Sequence, residues 1–430
     1  MKSRLKLLFL LPCLLLASCN FKYSYTIKGL VTGGDGIDEV DDGIDDAGTY
    51  NIKVWVDDKI VSLTQTQIQE FVSASGGKYT INATVEPQSE GTAASSMLQD
   101  VQSGADIFVF AQDQLARLKV AGAVSKLTGN YETFVRTNNS EDSVKAASLT
   151  NGIYAYPITS DNGYFLYYDK SYISDEDAKS MTTILERCRA AKKVLNFEGR
   201  SNGFYAASYF LATGCTSDWE LDETTGKFKS YTDTFSGENG VIAGKGLKEI
   251  ADTSVVASNS QASKLNGTAA AVISGVWEYE VALNRLGPDR LGCAKMPSFT
   301  VDGQTYQLGS YDGYKLMGVK PQVDAKKASV CRKLAKYLTS GSCQTERFKE
   351  VSWGPTNKEA ADREEVKSHP GLAALYAQHE FATQQGQCPG AWFVALSTTA
   401  KAITANSSEA DIRSVLQNYK NGLDELLSED

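Results

Sequence analysis

Two periods of hydrophobic positions alternate along the chain, and each switch between them marks an element. Residues 51–56 place Ile52, Val54 and Val56 on one side, the two-residue period of a strand, which gives out at the paired acids Asp57 and Asp58. Residues 64–74 carry Ile68, Phe71 and Val72 at helical spacing and stop at Gly76 and Gly77. Tyr79, Ile81, Ala83 and Val85 alternate as a second strand, and a short helix is expected over 93–101. The run DIFVF at 106–110 is nearly continuous in apolar residues, as a parallel strand covered on both faces should be. This order predicts a βαβαβ unit, which crosses right-handed into an open sheet. Ligands of such sheets gather beyond the carboxyl ends of the strands. Gln112 and Asp113 sit just past the third strand. A helix cap for the segment from Gln114 is the other reading of Asp113.

The stretch 151–170, NGIYAYPITSDNGYFLYYDK, holds two apolar runs, 153–157 and 164–168, broken by the polar TSDNG at 159–163. On spacing alone the break reads equally as a hairpin turn or as a crossover that turns Asp161 and Asn162 toward a cleft. Beyond it, 180–192 reads as a helix, 193–197 as a strand and 203–213 as a helix carrying Phe204, Tyr205 and Tyr209, with 216–227 loop-like around Trp219. GENGVIAGKG at 237–246 fails as a phosphate loop, because Asn239 and Gly246 stand where Gly and Ser or Thr are needed. Residues 265–277 read as a polar turn, a short buried strand and a tryptophan, Trp277, opening a helix. A strand returns over 309–318, helices follow at 325–338 and 344–351, and Trp353 begins a last crossover at 353–357. Residues 387–392 open another helix at Trp392, and Leu416, Tyr419, Leu423 and Leu426 form the apolar stripe of a closing helix.

The N-terminus is read as a targeting segment. Lys2, Arg4 and Lys6 precede an apolar run at 7–16, too short for a stable membrane span, and the run ends LASC at 16–19. Small residues before Cys19 look like a lipobox, in which that thiol receives a diacylglyceryl group; a plain secretory signal is the other reading. The acidic run DGIDEVDDGIDD at 35–46 repels itself and has little to bury. Its ligand positions are out of register with an EF-hand, so 20–49 is read as a flexible tether.

The net charge of −9 argues against nucleic-acid binding. His369 and His379, the two histidines, lie on one polar helical stretch read as solvated surface, a poor supply for histidine catalysis or a histidine metal site. Cys188, Cys215, Cys293, Cys331, Cys343 and Cys388 show no C-x-x-C spacing; disulfides and buried free thiols both fit an exported chain.

Three runs together, NGIYAYP with its aromatic continuation, GADIFVFAQDQ at 104–114 with AGAVSKL at 121–127, and LNGTAAAVISGVW at 265–277, resemble the extracellular solute-binding proteins of carbohydrate ABC transporters, of the maltodextrin-binding type. The resemblance implies a type II two-lobed periplasmic-binding-protein-like α/β fold, each lobe a mixed sheet flanked by helices, with crossovers near Thr159, 298–304 and 353–357. After the signal peptide at 1–19 and the tether at 20–49, it implies a first lobe from 50–159 plus 305–355, and a second from 160–304 plus 356–430. It implies sugar stacking on Trp277 and Trp392, a ligand-binding acid at Asp113, an aromatic at Phe204 or Tyr205 and a cleft position for Trp353. Asp57, Asp58, Gln112, Asp161 and Asn162 complete the expected set of ligand groups. Core packing is the competing reading for Trp277 and for the aromatics of 203–213.

The expected partners are a carbohydrate, an ABC permease and, through Cys19, the extracytoplasmic face of the cell membrane, for a monomer with no cofactor, no metal and no catalytic residues. A non-sugar solute such as a peptide, amino acid or polyamine is the alternative on the same fold. A glycosidase or an adhesin fits less well: G-x-S-x-G and H-E-x-x-H are absent, and an adhesin needs no hinge.

Overall fold

The computed structural model describes residues 44–405 and 408–429. Cys19 and most of the acidic run therefore lie outside the described residues. Two five-stranded sheets organise the chain. In the first, Tyr79–Pro87, Gly48–Val56 and Ile107–Ala111 run parallel, Lys315–Val319 lies antiparallel beside Ile107–Ala111, and Tyr156–Thr159 antiparallel beside Lys315–Val319. In the second, Val256–Ala257, Val194–Asn196 and Ala269–Ser274 run parallel, Phe165–Asp169 lies antiparallel beside Ala269–Ser274, and Leu291–Ala294 antiparallel beside Phe165–Asp169. The strand Ile107–Ala111 is buried throughout, as its unbroken apolar run demands.

Tyr156–Thr159 belongs to one sheet and Phe165–Asp169 to the other, so the break at 159–163 is a crossover and not a hairpin turn. The second sheet shows the period of two plainly. Phe165 and Tyr167 join the apolar cluster that continues into the first lobe, while Tyr164, Leu166 and Tyr168 enter the second lobe's own core. A buried strand with apolar residues on both faces needs a cover on each side. Here the Pro370–His379 helix packs on that sheet from one side and Met181–Ala191 from the other.

Four sequence expectations are corrected. The segment around Trp219 is a β-hairpin, Ser217–Leu221 with Phe228–Asp233, and Trp219 packs against Phe228 and Tyr231. Alternation broken by the polar turn at 222–227 disguised two short strands. The middle return does not lie at 298–304. Ser298–Val301 and Gln304–Gln307 pair as a hairpin whose Phe299 and Val301 sit in the second core, and the chain comes back through Ser310–Asp312 instead. His369 is not solvated: its Nδ1 caps the Pro370–His379 helix by accepting from Leu372 N, its ring lies 4.0 Å from that of Tyr279, and burial pushes its pKa down to about 4. All six cysteines among the described residues are free thiols.

The fourth correction is Asp46, assigned by its acidic neighbours to a solvated tether. It is fully buried. Its carboxylate accepts from Tyr79 Oη (3.0 Å), Ser329 Oγ (2.8 Å) and Lys333 Nζ (2.7 Å) and pairs with Lys78 at 3.1 Å. Burial opposes its charge, but the hydrogen bonds from Lys333, Ser329 and Lys78 outweigh it and bring the pKa from 3.8 to about 2. Asp46 thus joins the chain entry, the second strand and the Ala325–Leu338 helix.

Removing one partner of a buried charge network leaves the others uncompensated, so Asp46→Ala should lose about 3 kcal/mol of stability in urea unfolding. A depressed carboxyl pKa contributes stability that is complete above the unfolded value and is lost as pH falls through the folded one. Wild-type stability should therefore drop between pH 4 and 2 more steeply than that of Asp46→Asn, measured by denaturant titration at each pH.

Candidate functional site

The ends of the first lobe's strands and the start of one second-lobe helix meet in a single cluster. After Val56 the chain turns, and Asp57 caps the one-turn helix Asp58–Ile60 by accepting from Lys59 N at 3.0 Å. Asp57 is half-buried and Asp58 exposed. Burial, and then the charge of Glu90, raise the Asp57 carboxyl from 3.8 to about 6. Glu90, the first residue of the Glu90–Gln99 helix, is buried and pairs with Lys315 at 3.1 Å.

Lys315 opens the strand Lys315–Val319 and is only 5% exposed. Its ammonium lies 4.0 Å from the ring centre of Trp353 and 5.6 Å from that of Trp277. Burial works against this charge, but Glu90, Asp161 and Asp57 outweigh it and push the pKa up. Trp277 stands in the turn Val276–Glu278 that leads into the second-lobe helix Tyr279–Leu286 and is half-buried. Its ring folds back over Gly275, where a Cβ would fall 2.1 Å from it. The Trp277 carbonyl accepts from Lys59 Nζ of the first lobe at 2.6 Å.

Asp161 borders the same cluster but spends its oxygens on the crossover segments. It is fully buried, and both carboxylate oxygens are engaged: one accepts from Thr159 Oγ1 at 2.6 Å, the other from Gly354 N at 3.0 Å. Ser160 N donates to the Gly354 carbonyl (2.9 Å), Ser160 Oγ to that of Pro355 (3.2 Å), and Asn162 N to that of Gly313 (3.2 Å). Three crossing segments are thereby laced side by side. Gly163 fits there because a Cβ would meet the Tyr311 carbonyl at 2.9 Å.

Gln112 and Asn162 link segments from the two cores. Gln112 Oε1 accepts from Tyr314 N (2.8 Å) and its Nε2 donates to the Gln385 carbonyl (2.6 Å), while Asn162 Nδ2 donates to Gln385 Oε1 (3.2 Å). Gln387 donates to the Gln112 carbonyl and accepts from Ala116 N. At the far end of the same short helix, Leu115–Val120, Lys119 Nζ donates to the Glu223 carbonyl. The Glu223 carboxylate accepts from Thr150 N and Thr150 Oγ1, each at 3.0 Å. The hairpin of the second lobe so grips the first.

Asp113 keeps one carboxylate oxygen, Oδ1, buried without a hydrogen-bond partner. Burial, against a weaker pull from Arg117, raises its pKa from 3.8 to about 7. Phe204, at the start of Gly203–Ala212, stacks on Tyr311 (5.6 Å between ring centres, 21° between planes) and meets Tyr164 edge-on. Trp353 is buried beneath Lys315. Trp392 is corrected from a stacking wall to a core residue: it is 2% exposed, meets Phe235 edge-on, and donates from Nε1 to Tyr419 Oη at 2.8 Å.

Of the expected residues, Asp57, Trp277 and Trp353 come together, with Asp58 at the exposed edge. Glu90 and Lys315 were missed. A lone lysine in the apolar run YKLMGV was the available signal, since a charge inside a strand buried on both faces requires a partner. Among the described residues no group of three or more His, Cys, Asp or Glu side chains converges as a metal site would.

A profile of bacterial extracellular solute-binding proteins matches residues 66–374. Solved structures superpose over most of the chain. One, solved with acarbose, has a TM-score of 0.76 at 26% identity, covering 88% of this chain and 100% of that one. A maltodextrin-binding protein from L. casei BL23 without ligand gives 0.70 at 20% identity, covering 89% and 98%. A cyclo/maltodextrin-binding protein complexed with maltotetraose gives 0.65 at 18% identity, covering 87% and 97%. No curated protein matches the sequence significantly.

A raised carboxyl pKa means that the folded state holds more protons than the unfolded one, so stability falls as pH rises from the unfolded value through the folded one. For Asp113 that window runs from about pH 4 to 7. Asp113→Asn should flatten this decline and raise the melting temperature at pH 7.5, as scanning calorimetry across the window would show.

Proposed function

The chain belongs to the bacterial extracellular solute-binding proteins, and from that premise we propose that it captures an oligosaccharide such as a maltodextrin between its lobes and delivers it to an ABC permease. The observation that carries this reading is the placement of Trp277, half-buried on the second lobe, with its ring 5.6 Å from the ammonium of Lys315, which pairs with Glu90 of the first. A sugar ring presents a face of C–H groups that packs on an aromatic, and an edge of hydroxyls that needs acceptors. The neighbours solved with acarbose and maltotetraose support the class.

In this reading the lobes close by rotation about the laced crossovers, with 160–163, 309–314 and 352–356 as the hinge. The partition into lobes follows the two sheets, with the middle boundary moved to that return. The ligand groups are Asp57, Asp58 and Trp277, joined by Asp113 through its unpartnered, buried carboxylate oxygen. Phe204 and Trp353 support the walls, Gln112 and Asn162 bridge the lobes through Gln385, and Asp161 ties the hinge segments together. Cys19 carries the lipid that keeps the protein at the extracytoplasmic membrane face, as a monomer with no catalysis of its own.

Titration calorimetry with maltose to maltoheptaose should give saturable binding, the sugar recovered intact by chromatography. If only peptides, amino acids or polyamines bind, the sugar assignment falls. Trp277→Ala should weaken binding ~30-fold or more, the scale of a hot-spot aromatic, whereas Trp392→Ala should act on the melting temperature. Cys19→Ser should leave the protein unprocessed or released; a membrane-bound variant of mature mass would refute the anchor.

A further inference from the structure

Two indole rings and three carboxylates around one small volume are the chemistry of a cation site. Aromatic faces attract ammonium groups, most strongly when desolvated, and carboxylates supply the counter-charge. Trp353, Trp277, Glu90, Asp57 and Asp161 make such a surrounding, and Lys315 fills it: 4.0 Å over one ring, 5.6 Å from the other, 3.1 Å from Glu90. Two further cations stand nearby: Lys59 points its ammonium at the Trp277 carbonyl, and the buried Arg347, which feels the charge of Asp161, donates to the Leu338 carbonyl. Asp161 has both oxygens committed to Thr159 and Gly354, so it acts on Lys315 through its charge alone.

We infer that Lys315 is a specificity-determining residue: a built-in cation that occupies the aromatic and acidic subsite and so makes the cleft select uncharged, hydroxylated solutes over amines and quaternary ammonium ions. The inference rests on reading this cluster as the solute site. An entering ammonium would have to displace a covalently tethered one from the same rings. A neutral polyol instead meets acceptors at Asp57 and Glu90 whose charge Lys315 offsets in part. Without that ammonium, Asp57 and Glu90 would repel each other and hold the cleft open to cations. Lysine suits the role because its stem reaches from the strand while its head remains a compact point charge.

The test uses the mature protein, with maltotriose, spermidine and tetramethylammonium chloride as probes, followed by tryptophan fluorescence and calorimetry. The wild type should bind neither cation saturably. Lys315→Ala should acquire saturable, salt-sensitive binding of tetramethylammonium that the added Trp277→Ala change abolishes, and should bind maltotriose roughly tenfold or more weakly. Lys315→Gln, closer in volume, serves as the second variant should alanine cost the fold, judged by its melting transition. Saturable cation binding by the wild type, or no gained cation binding in either variant, overturns the inference. Cation binding gained by a variant, with no maltotriose bound by any form, would leave the role of Lys315 standing and remove the sugar reading.

Discussion

A buried carboxylate fastens the crossovers between the two lobes side by side. Asp161 has no access to water, and a charge in that position is tolerated only if its two oxygens are met. Both are, from two different segments, so Thr159 and Gly354 cannot drift apart without stranding it. The neighbouring backbone bonds at Ser160 and Asn162 extend the same lacing. Segments tied this way twist far more easily than they slide, because sliding breaks every bond at once. Each sheet hangs from this seam by its own strand, Tyr156–Thr159 on one side and Phe165–Asp169 on the other.

The charged cluster is built outward from the same seam. Lys315 leaves the middle crossing, Trp353 stands in the third, and Asp161 lies in the first. Glu90 and Asp57 come from the first lobe and Trp277 from the second. In a medium of low polarity the attraction between these groups is large, and so is the penalty for leaving any one alone. The cluster therefore responds as a unit, which is why the pKa of Asp57 and that of Lys315 are both displaced upward, one by burial and a like charge, the other by opposite charges.

Much of the fold was legible because its elements declare themselves locally. The alternation of Ile52, Val54 and Val56 and the unbroken run before Ala111 name strands without tertiary help. The candidate site was less legible. Acids just past strand ends are visible in sequence, but whether a side chain faces a cleft or fastens the backbone depends on partners hundreds of residues away. Asp161 and Asp57 look alike in the chain, yet only Asp161 is met by a backbone N–H from Gly354. Trp392 and Trp277 each open a helix, and the phenol of Tyr419 draws one into the core. Asp46 was misplaced because the composition of its neighbours outweighed its own future contacts.

The hairpin tip that carries Glu223 offers a separate means of adjustment. It reaches the first lobe through one carbonyl and one carboxylate, at Lys119 and Thr150, while its strands are fixed by Trp219, Phe228 and Tyr231 in the second core. The turn between them, with Gly226 in a left-handed conformation against Val120, belongs to neither core and touches none of the charged cluster. A few surface turn residues can therefore change without disturbing the packing of either core, while setting how firmly the hairpin tip is held at Lys119 and Thr150.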